Sequence, residues 1–400
     1  MTRFAHLSDL HVGGFQKSLL RKKEEETIGE FVQTCLTEKV EFVVMSGDVF
    51  DSNIPPISQA VKLSKHLKAM KESGVRIYAI YGNHDFSATK TSLLELLDAD
   101  GLLRIVNEPI HDKSGIIING IHGTPGAKEV ASFGQTERLE HKGGEPAVFM
   151  MHTAVLQDRV KVDPEQCIPM SLVPKGYSYI AAGHLHKRLE FRTEDGVPLN
   201  YPGPLFIGYG LSDLEGYMRG DDRGFYLVDL EPGDTKFEYI RIRKLEGDLL
   251  DVDAEAKDES EVKRLVEKAL TDTQGRYSSD ALLLLKVHGR LRHGRKSNIT
   301  LFTKKKEKDF RFHIEFNDRS LYDPDEEVAE PGEELEKRIY ELMASKFPAK
   351  VNPQFIEELL DTLSEEKREG MTTDDYREHI VSKVQAVLRT KLGDDFELQN

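Results

Sequence analysis

The sequence predicts an α/β fold, built on a mixed sheet or on two packed sheets, from three observations. Short apolar runs, such as residues 42–45 and 179–182, are typical of buried strands. Between the first two runs, Ile28, Phe31 and Cys35 recur at the spacing of a helix with one apolar face. Later runs lie closer together, which indicates that part of the sheet structure is antiparallel.

The order of the elements divides the chain into three parts. Residues 246–257 are acidic and poor in aromatic side chains, and residues 323–334 are acidic and contain two prolines, so we expect domain boundaries there. The predicted domains are residues 1–245, 246–322 and 323–400. Strands are predicted at residues 4–7, 42–45, 75–81, 116–118, 148–151, 179–182, 225–230, 237–242, 281–287 and 310–316. Helices are predicted at residues 28–36, 61–70, 262–269, 335–343, 355–363 and 376–388.

Length and composition agree with a multidomain intracellular protein. A chain of 400 residues is too long for one ordinary core, so we expect two or three domains. Mean hydropathy is −0.47 and no run of 18 uncharged apolar residues occurs, which predicts no membrane association. The first residues enter a strand pattern without the apolar region of a signal peptide, and two cysteines cannot form a disulfide framework. We therefore expect a cytoplasmic location.

The net charge of −15 conceals one strongly basic stretch. Residues 286–311, called the basic stretch below, carry a net charge of +8, while the rest of the chain carries −23. A local positive field on an acidic body can attract a polyanion to one face only. The pattern of the basic stretch predicts a strand, a flexible loop and a second strand.

Five short polar motifs recur in the first domain, and each directly follows an apolar run. Groups in such positions lie at the carboxyl ends of strands, where the loops of α/β proteins build sites. The motifs supply carboxylate, imidazole and amide groups without thiolates, a set that suits manganese, iron or zinc. They are Asp9-Leu10-His11, Gly47-Asp48-Val49-Phe50-Asp51, Gly82-Asn83-His84-Asp85, Met151-His152 and Gly183-His184-Leu185-His186.

Seven candidate ligands are too many for one ion and suit two ions that share a ligand. Asp48 is the candidate bridge, because a carboxylate has two oxygens and its strand is the most apolar. Two metals roughly 3.5–4 Å apart can hold the attacking hydroxide and the phosphoryl oxygens of an in-line displacement. His184 and His186 alternate along the chain, so they reach different metals only if the chain turns, which Gly183 permits.

Each motif alone has an ordinary explanation. A pair such as Asp9 and His11 occurs by chance, a lone His152 is more often a core residue, and residues 82–85 have the composition of a turn. Their occurrence together, in order and each at a strand end, favours a functional site.

The motifs together resemble the signature of the calcineurin-like metallophosphoesterase superfamily: Asp-x-His, Gly-Asp-x-x-Asp, Gly-Asn-His-Asp/Glu, His and Gly-His-x-His. More narrowly, the chain resembles the nuclease subunit of the double-strand-break repair complex, the meiotic-recombination-eleven family of archaea and eukaryotes, called SbcD in bacteria. The narrower resemblance covers residues 1–245. It rests on residues 47–51 followed by Pro55-Pro56, on Ser92-Leu93-Leu94-Glu95-Leu96-Leu97, and on Tyr201-Pro202-Gly203 with Arg223-Gly224-Phe225.

The resemblance implies a sandwich of two mixed sheets flanked by helices, a smaller α/β capping domain and a C-terminal helical segment. It implies that Asp9, His11, Asp48 and His186 hold one metal, and that Asp48, Asn83, His152 and His184 hold the other. His84 is implied as the catalytic residue that contacts the scissile phosphate, and Asp85 as the partner that orients His84. Two positions depart from the family pattern: Asp51 stands where several members carry histidine, as in the bacterial version, and Pro204 replaces the usual serine.

The implied function is a manganese-dependent DNA phosphodiesterase with 3′-to-5′ exonuclease and single-strand endonuclease activity. The family processes double-strand breaks with an SMC-like ABC ATPase, SbcC in bacteria, which would bind the C-terminal helices after Phe347. A homodimer is implied, through residues 57–70 and 93–97. The capping domain would contact the phosphates of double- and single-stranded DNA ends. Within the basic stretch, the candidate DNA-contacting residues are Arg290, Arg292, Arg295, Lys296, Lys304, Lys305 and Lys306.

Two other functions remain open. A calcineurin-like phosphatase or small-nucleotide phosphodiesterase would use the same metals, but it would not need the basic stretch or the C-terminal helices. A non-catalytic scaffold for DNA ends would keep the metals as structural ions, but it would be free to lose ligands and His84.

Overall fold

A computed structural model describes residues 1–85, 92–134, 139–158, 160, 162–231, 233–326 and 380–384. The chain divides into two compact units, Met1–Pro324 and Asp325–Asn400. The predicted C-terminal helices lie outside the described residues, apart from a helical stretch at residues 380–384. Within the described ranges, no helix is both long enough and apolar enough to cross a membrane.

Strands and helices alternate through the first unit. The strands are β1 (Thr2–Leu7), β2 (Phe42–Ser46), β3 (Arg76–Ile80), β4 (Arg104–Ile105), β5 (Ile110–His111), β6 (Ile117–Ile121), β7 (Ala147–His152), β8 (Ala154–Val155), β9 (Cys167–Ile168), β10 (Tyr179–Gly183), β11 (Leu189–Arg192), β12 (Pro198–Tyr201), β13 (Gly224–Glu231), β14 (Asp234–Arg241), β15 (Gly247–Asp253), β16 (Leu282–Arg290), β17 (His313–Asn317) and β18 (Leu321–Tyr322). The α-helices are α1 (Ser18–Thr37), α2 (Ile57–Glu72), α3 (Leu93–Ala99), α4 (Val130–Phe133), α5 (Gly210–Arg219), α6 (Glu259–Thr271) and α7 (Lys296–Lys306).

Two six-stranded mixed sheets pack face to face and form the predicted α/β sandwich. The first has the order β14-β13-β1-β2-β3-β4 and the second β11-β12-β10-β7-β6-β5. Side chains alternate along β2: Phe42 and Val44 lie in the core between the sheets with Tyr179, while Val43 and Met45 belong to the core shared with α1 and α2. Burial on both faces explains why the strand sequences are continuous apolar runs.

The central strands of both sheets are parallel, so their carboxyl ends lie at the same edge of each sheet. Strands β1, β2 and β3 are parallel in the first sheet, and β6, β7 and β10 are parallel in the second. All five polar motifs lie at or just after the carboxyl ends of strands of these two sets, namely β1, β2, β3, β7 and β10. The carboxyl ends of the parallel strands therefore carry every predicted ligand.

A third sheet follows with its own core, and here one prediction was wrong. The basic stretch was predicted to contain a flexible loop, but that part of the chain forms α7. Residues 246–257, where we expect a domain boundary, contain β15, an edge strand that pairs in parallel with β16. Val262 and Val266 of α6 pack with Ile299 of α7 on one face of this sheet. The other face, through Leu282 and Leu284, packs in one core with α1 and α5.

Candidate metal centre

The structure brings the predicted ligands to one place. Ligand atoms of Asp9, His11, Asp48 and His186 all lie within 4.8 Å of one another. Around the same Asp48, Nε2 of His152 lies 3.2 Å from its Oδ2. The same nitrogen is 3.2 Å from Oδ1 of Asn83, and the ring of His184 lies 5.2 Å from that of His152. We call these seven side chains the histidine–carboxylate cluster: Asp9, His11, Asp48, Asn83, His152, His184 and His186.

An unusual backbone conformation aims these side chains. Asp9, His11, Asp48 and His184 have φ values of 53°, 47°, 50° and 90°, in the left-handed region that non-glycine residues seldom adopt. All four lie in the loops that follow β1, β2 and β10. Strained residues of this kind cluster at functional sites, where the surrounding structure holds them in place.

The glycines of the motifs have a different role from the one predicted. Gly183 lies inside β10, and His184 itself makes the turn that Gly183 was expected to permit. A Cβ at Gly183 would lie 2.1 Å from the carbonyl oxygen of Ser46, and one at Gly82 would lie 2.1 Å from Oδ1 of Asp48. Both glycines are therefore required for close approach: Gly183 lets the two sheets meet, and Gly82 lets the loops after β2 and β3 meet within one sheet.

Hydrogen bonds at the back of the histidines leave lone pairs facing the cluster. Nδ1 of His152 lies 2.7 Å from the carbonyl oxygen of Ser46, so this nitrogen carries the hydrogen. Nδ1 of His186 lies 2.7 Å from the carboxylate of Asp213, so it too donates. The Nε2 atoms of both rings then face acceptors, including Nε2 of His11 at 3.1 Å from that of His186. Converging lone pairs and carboxylates need a cation between them, so these residues fit bound divalent metals.

The charges of the cluster also favour a cation. Burial opposes ionisation of His152, yet the neighbouring Asp48 carboxylate raises its pKa to about 10, so a metal ion must displace a proton from Nε2 to bind there. Burial would likewise raise the pKa of Asp48, but His152 and His11 lower it below its usual value. By contrast, burial and the charge of His152 lower the pKa of His184 to about 4, which keeps that imidazole neutral as a ligand must be.

His84 stands beside the cluster and is held by the chain that carries Asp51. Its Nδ1 lies 2.8 Å from the carbonyl oxygen of Asp51, and its backbone N–H donates to Oδ1 of Asp48 at 2.9 Å. Nε2 of His84 has no hydrogen-bond partner within the described ranges, and the residue lines an open cavity of about 370 Å³. The ring is therefore fixed at one nitrogen and free at the other.

Asp85 does not contact the His84 imidazole, so the prediction that it orients this ring was wrong. Its carboxylate accepts the backbone N–H groups of Val49, Phe50 and Gly82, at 3.1, 2.9 and 3.0 Å. Burial and the charge of Asp48 raise the pKa of Asp85 to about 7. Asp85 thus ties the loop that follows β2 to the loop that follows β3.

Sequence reasoning missed two residues of the site, Asp213 and Tyr209, and gave a third, Asp51, no role in it. Asp213, in the first turn of α5, holds His186, and its Oδ2 also accepts from the N–H of Tyr209 at 2.8 Å. The ring of Tyr209 lies 5.0 Å from those of His11 and His84. Oδ1 of Asp51 lies 3.6 Å from Nδ1 of His11. The sequence signal nearest to Asp213 and Tyr209 is Gly208-Tyr209-Gly210, a tyrosine between two glycines before a helix. It does not follow an apolar strand, so the search for polar residues at strand ends does not find it.

The predicted DNA-contacting residues lie apart from the cluster, on the third sheet, and several are engaged with acids. Arg292 pairs with Asp258 at 2.9 Å. The acids of α6 therefore neutralise part of the +8 charge of the basic stretch. Arg295 pairs with Asp323 at 3.4 Å, Lys306 with Glu267 at 2.5 Å, Arg290 donates to the carbonyl oxygen of Asp323, and Lys296, Lys304 and Lys305 lie along α7.

Comparison with known proteins identifies the class to which this fold and cluster belong. The model of the calcineurin-like phosphoesterase family matches residues 2–188, the stretch that contains all seven cluster residues. Residues 2–188 are therefore a calcineurin-like metallophosphoesterase domain, which confirms the predicted superfamily and the fold class.

Particular relatives are more distant. The chain is 28% identical to the DNA double-strand break repair protein Mre11 of Saccharolobus solfataricus over 57% of its length, and spans 60% of that protein. It is 27% identical to the Mre11 of Methanococcus maripaludis over 66% of its length and 73% of that protein. An uncharacterised metallophosphoesterase of Bacillus subtilis, YhaO, is 25% identical over 66% of both chains. A dimetal phosphatase of Danio rerio matches 60% of this chain and 95% of its own at a TM-score of 0.40 and 11% identity.

Proposed function

We propose that this protein is a two-metal DNA phosphodiesterase that processes broken DNA ends. The observation that carries the proposal is the histidine–carboxylate cluster with His84 beside it, at the floor of an open cavity. The similarity to DNA double-strand break repair proteins supports DNA as the substrate. The proposed activities are 3′-to-5′ exonuclease and single-strand endonuclease, with Mn²⁺ as the metal.

The chain's own residues would divide the work as follows. Two bound divalent ions would supply an activated water and neutralise the charge of the phosphate. His84, with Nδ1 fixed by Asp51, would present Nε2 to the leaving oxygen and donate a proton to it. Asp9, His11, Asp48 and His186 would hold one ion, and Asp48, Asn83, His152 and His184 the other.

We further propose that the protein acts as a homodimer. An apolar groove of about 710 Å³ runs between α2 and α3 and is lined by Ile57 and Leu96, which are 79% and 61% exposed. Exposed aliphatic side chains of this size favour a protein interface over contact with water. Light scattering of purified protein, compared with a Leu96→Lys variant, tests this: a monomeric wild type contradicts the dimer.

Binding of an SMC-like ABC ATPase by the C-terminal helices is proposed from the resemblance alone, because those helices lie outside the described residues. A DNA-end nuclease acts where the DNA is, so the proposed location is the cytoplasm, at the nucleoid. Capture of the ATPase by the full chain, and its loss on removal of residues 347–400, tests the partner; equal capture contradicts it.

The experiment that tests the activity compares the wild type with His84→Ser on end-labelled double-stranded DNA in manganese and in magnesium. We expect manganese-dependent loss of the 3′ end, and a rate about 10²–10⁴-fold lower in the variant, the usual contribution of a positioned proton donor. His111→Ser, on the exposed edge strand β5, is the matched control and should retain full activity.

Chromogenic substrates separate the proposal from its rivals. Hydrolysis of a phosphomonoester or a small phosphodiester with no action on DNA would favour a phosphatase or a small-nucleotide phosphodiesterase. A protein that binds two metals and DNA but hydrolyses none of these substrates would favour a non-catalytic scaffold.

A further inference from the structure

One arginine side chain, that of Arg319, lies at the mouth of the cavity that contains the candidate metal centre. The cavity is lined by Asp48, Asn83, His84, His184, His186, Tyr209, Gly210, Leu211, Ser212, Asp213 and Arg319. Among these lining residues Arg319 alone is a lysine or an arginine. It comes from the third sheet, in the turn between β17 and β18, whereas the other lining residues come from the first two sheets and α5.

The side chain of Arg319 is unengaged. Its guanidinium makes no ion pair or hydrogen bond with any residue of the described ranges, and the residue is exposed. The acids nearest the cavity floor are already occupied: Asp48 faces His152, and Asp213 binds His186. This arginine differs from two arginines of the basic stretch. Arg292 pairs with Asp258 and Arg295 with Asp323.

The backbone around Arg319 is nevertheless fixed. The N–H of Arg319 donates to Oδ1 of Asn317 at 3.2 Å, and Oγ1 of Thr300 donates to Asp318 at 2.7 Å. The N–H of Gly289 donates to the carbonyl oxygen of Ser320 at 2.8 Å. An exposed charged side chain on a hydrogen-bonded turn is suited to binding a ligand that arrives from solvent.

The third sheet is also fastened to the metallophosphoesterase domain. Lys17 donates to the carbonyl oxygen of Ile314 at 2.6 Å and pairs with Glu315 at 2.9 Å, both on β17. The apolar core of Leu282 and Leu284 with Leu19 joins the same two parts. Arg319, which follows β17 directly, therefore keeps its place beside the cavity.

We infer that Arg319 binds a phosphate of the polynucleotide next to the scissile one and so positions the strand over the metal centre. The inference rests on the proposed function. Arg319 lies outside the basic stretch, so counting charges along the sequence does not identify it. A guanidinium is suited to the task because it is always charged and binds phosphate oxygens in pairs. The scissile phosphate would lie deeper, at Asp48, which is 2% exposed, while Arg319 lies at the exposed rim.

The test measures kcat and KM for a single-stranded oligonucleotide and for the p-nitrophenyl ester of thymidine 5′-monophosphate, which has one phosphate. We expect Arg319→Ala to raise KM for the oligonucleotide about tenfold, the usual size of one charge-assisted hydrogen bond, with little change in kcat. KM for the small ester should not change. Arg319→Lys, which keeps the charge, should lie between the wild type and Arg319→Ala.

Arg311→Ala is the matched control, since it removes the same charge from an exposed residue at the other end of β17. Equal KM values for Arg311→Ala and Arg319→Ala would overturn the inference and leave the proposed function intact. An equal loss on both substrates would also overturn it, because Arg319 would then act at the scissile phosphate. A wild type that hydrolyses the ester but not the oligonucleotide would overturn the proposed function and this inference with it.

Binding gives a readout that does not depend on turnover. Fluorescence anisotropy of a labelled oligonucleotide, measured in the His84→Ser background, should show about tenfold weaker binding with Arg319→Ala than with Arg311→Ala. Equal binding by the two double variants would overturn the inference even in a protein without measurable activity.

Discussion

The histidine–carboxylate cluster and the basic stretch were both predicted from the sequence, but they differ in burial and in the partners of their charged groups. The cluster residues sit at strand ends, are mostly buried and face one another across two sheets. The basic stretch spans a strand and a helix, and Arg292 and Lys306 face acids that belong to α6. A buried charge must find partners that its fold provides, whereas an exposed charge is neutralised by whatever lies near it. Charge that is dense along a sequence is therefore a weak guide to charge that is available on a surface.

After the ligands and His84, the largest effect should come from Asp213→Asn, which removes the hydrogen-bond partner of His186 without removing a ligand. Asp213 fixes Nδ1 of His186 as a donor at 2.7 Å, so the amide would leave the ring without its charged partner. We expect metal affinity and DNA hydrolysis to fall by about 10–100-fold, the usual effect of losing such a partner. Calorimetric titration with Mn²⁺ measures the first quantity, and the nuclease assay measures the second.

Asp221→Asn is the control, because it removes a carboxylate near the opposite end of α5. Unchanged metal binding by Asp213→Asn would show that the ligand rings of the cluster are held by the backbone alone. The difference between the cluster and the basic stretch would then lie in strand geometry and not in paired charge.

The same comparison shows what the sequence could and could not predict. Motifs at strand ends were predictable, because the period of the apolar runs locates the strands and parallel strands bring their carboxyl ends together. Asp213 and Tyr209 could not be predicted, because they contact His186 and His84 only in the folded chain. They lie at the start of α5, whose sequence carries no recognisable motif. The strand β15 was not predicted, because its acidic sequence lacks the apolar run that marks the neighbouring strand β16.

The roles within the motifs were less predictable than their positions. The chain was expected to turn at Gly183, but it turns at His184. Gly183 is needed instead for close contact with Ser46 of the other sheet. Asp85 was expected to orient His84, but it binds backbone N–H groups of two loops instead. Local spacing identifies which residues gather, whereas their individual contacts depend on the distance between the two sheets.

An intermediate effect is expected from Glu24→Gln, which tests a buried charge that lacks an ionic partner. Glu24 on α1 is 3% exposed, and its Oε1 has no hydrogen-bond partner in the described part of the chain. Burial raises the pKa of this carboxyl from 4.5 to about 8. Between those pH values the folded protein holds a proton that the unfolded chain has released, so the folded state loses stability as pH rises from about 4.5 through 8.

The glutamine cannot ionise, so the variant should escape this loss. We expect the Tm of Glu24→Gln to match the wild type at pH 5 and to exceed it by a few degrees at pH 9, as measured by calorimetry in the presence of a chelator. Glu25→Gln, the exposed-side neighbour that pairs with Lys62, is the control and should show no such gain at pH 9. A Tm difference that does not depend on pH would mean that Glu24 is ionised in the folded protein.

The smallest effect should come from Arg292→Ala, in the exposed half of the comparison. Arg292 is about half exposed, and it pairs with Asp258 and Glu261 at the N-terminus of α6. Exposed ion pairs contribute little to stability, so we expect almost no change in the free energy of unfolding. Because the arginine is already paired, its removal should also weaken DNA binding less than the removal of Lys304 and Lys305, which are exposed near the end of α7. Denaturant unfolding and oligonucleotide anisotropy measure the two quantities. A loss of DNA affinity as large as that of the double lysine variant would show that the pair with Asp258 opens for DNA, and the basic stretch would then act as its composition predicts.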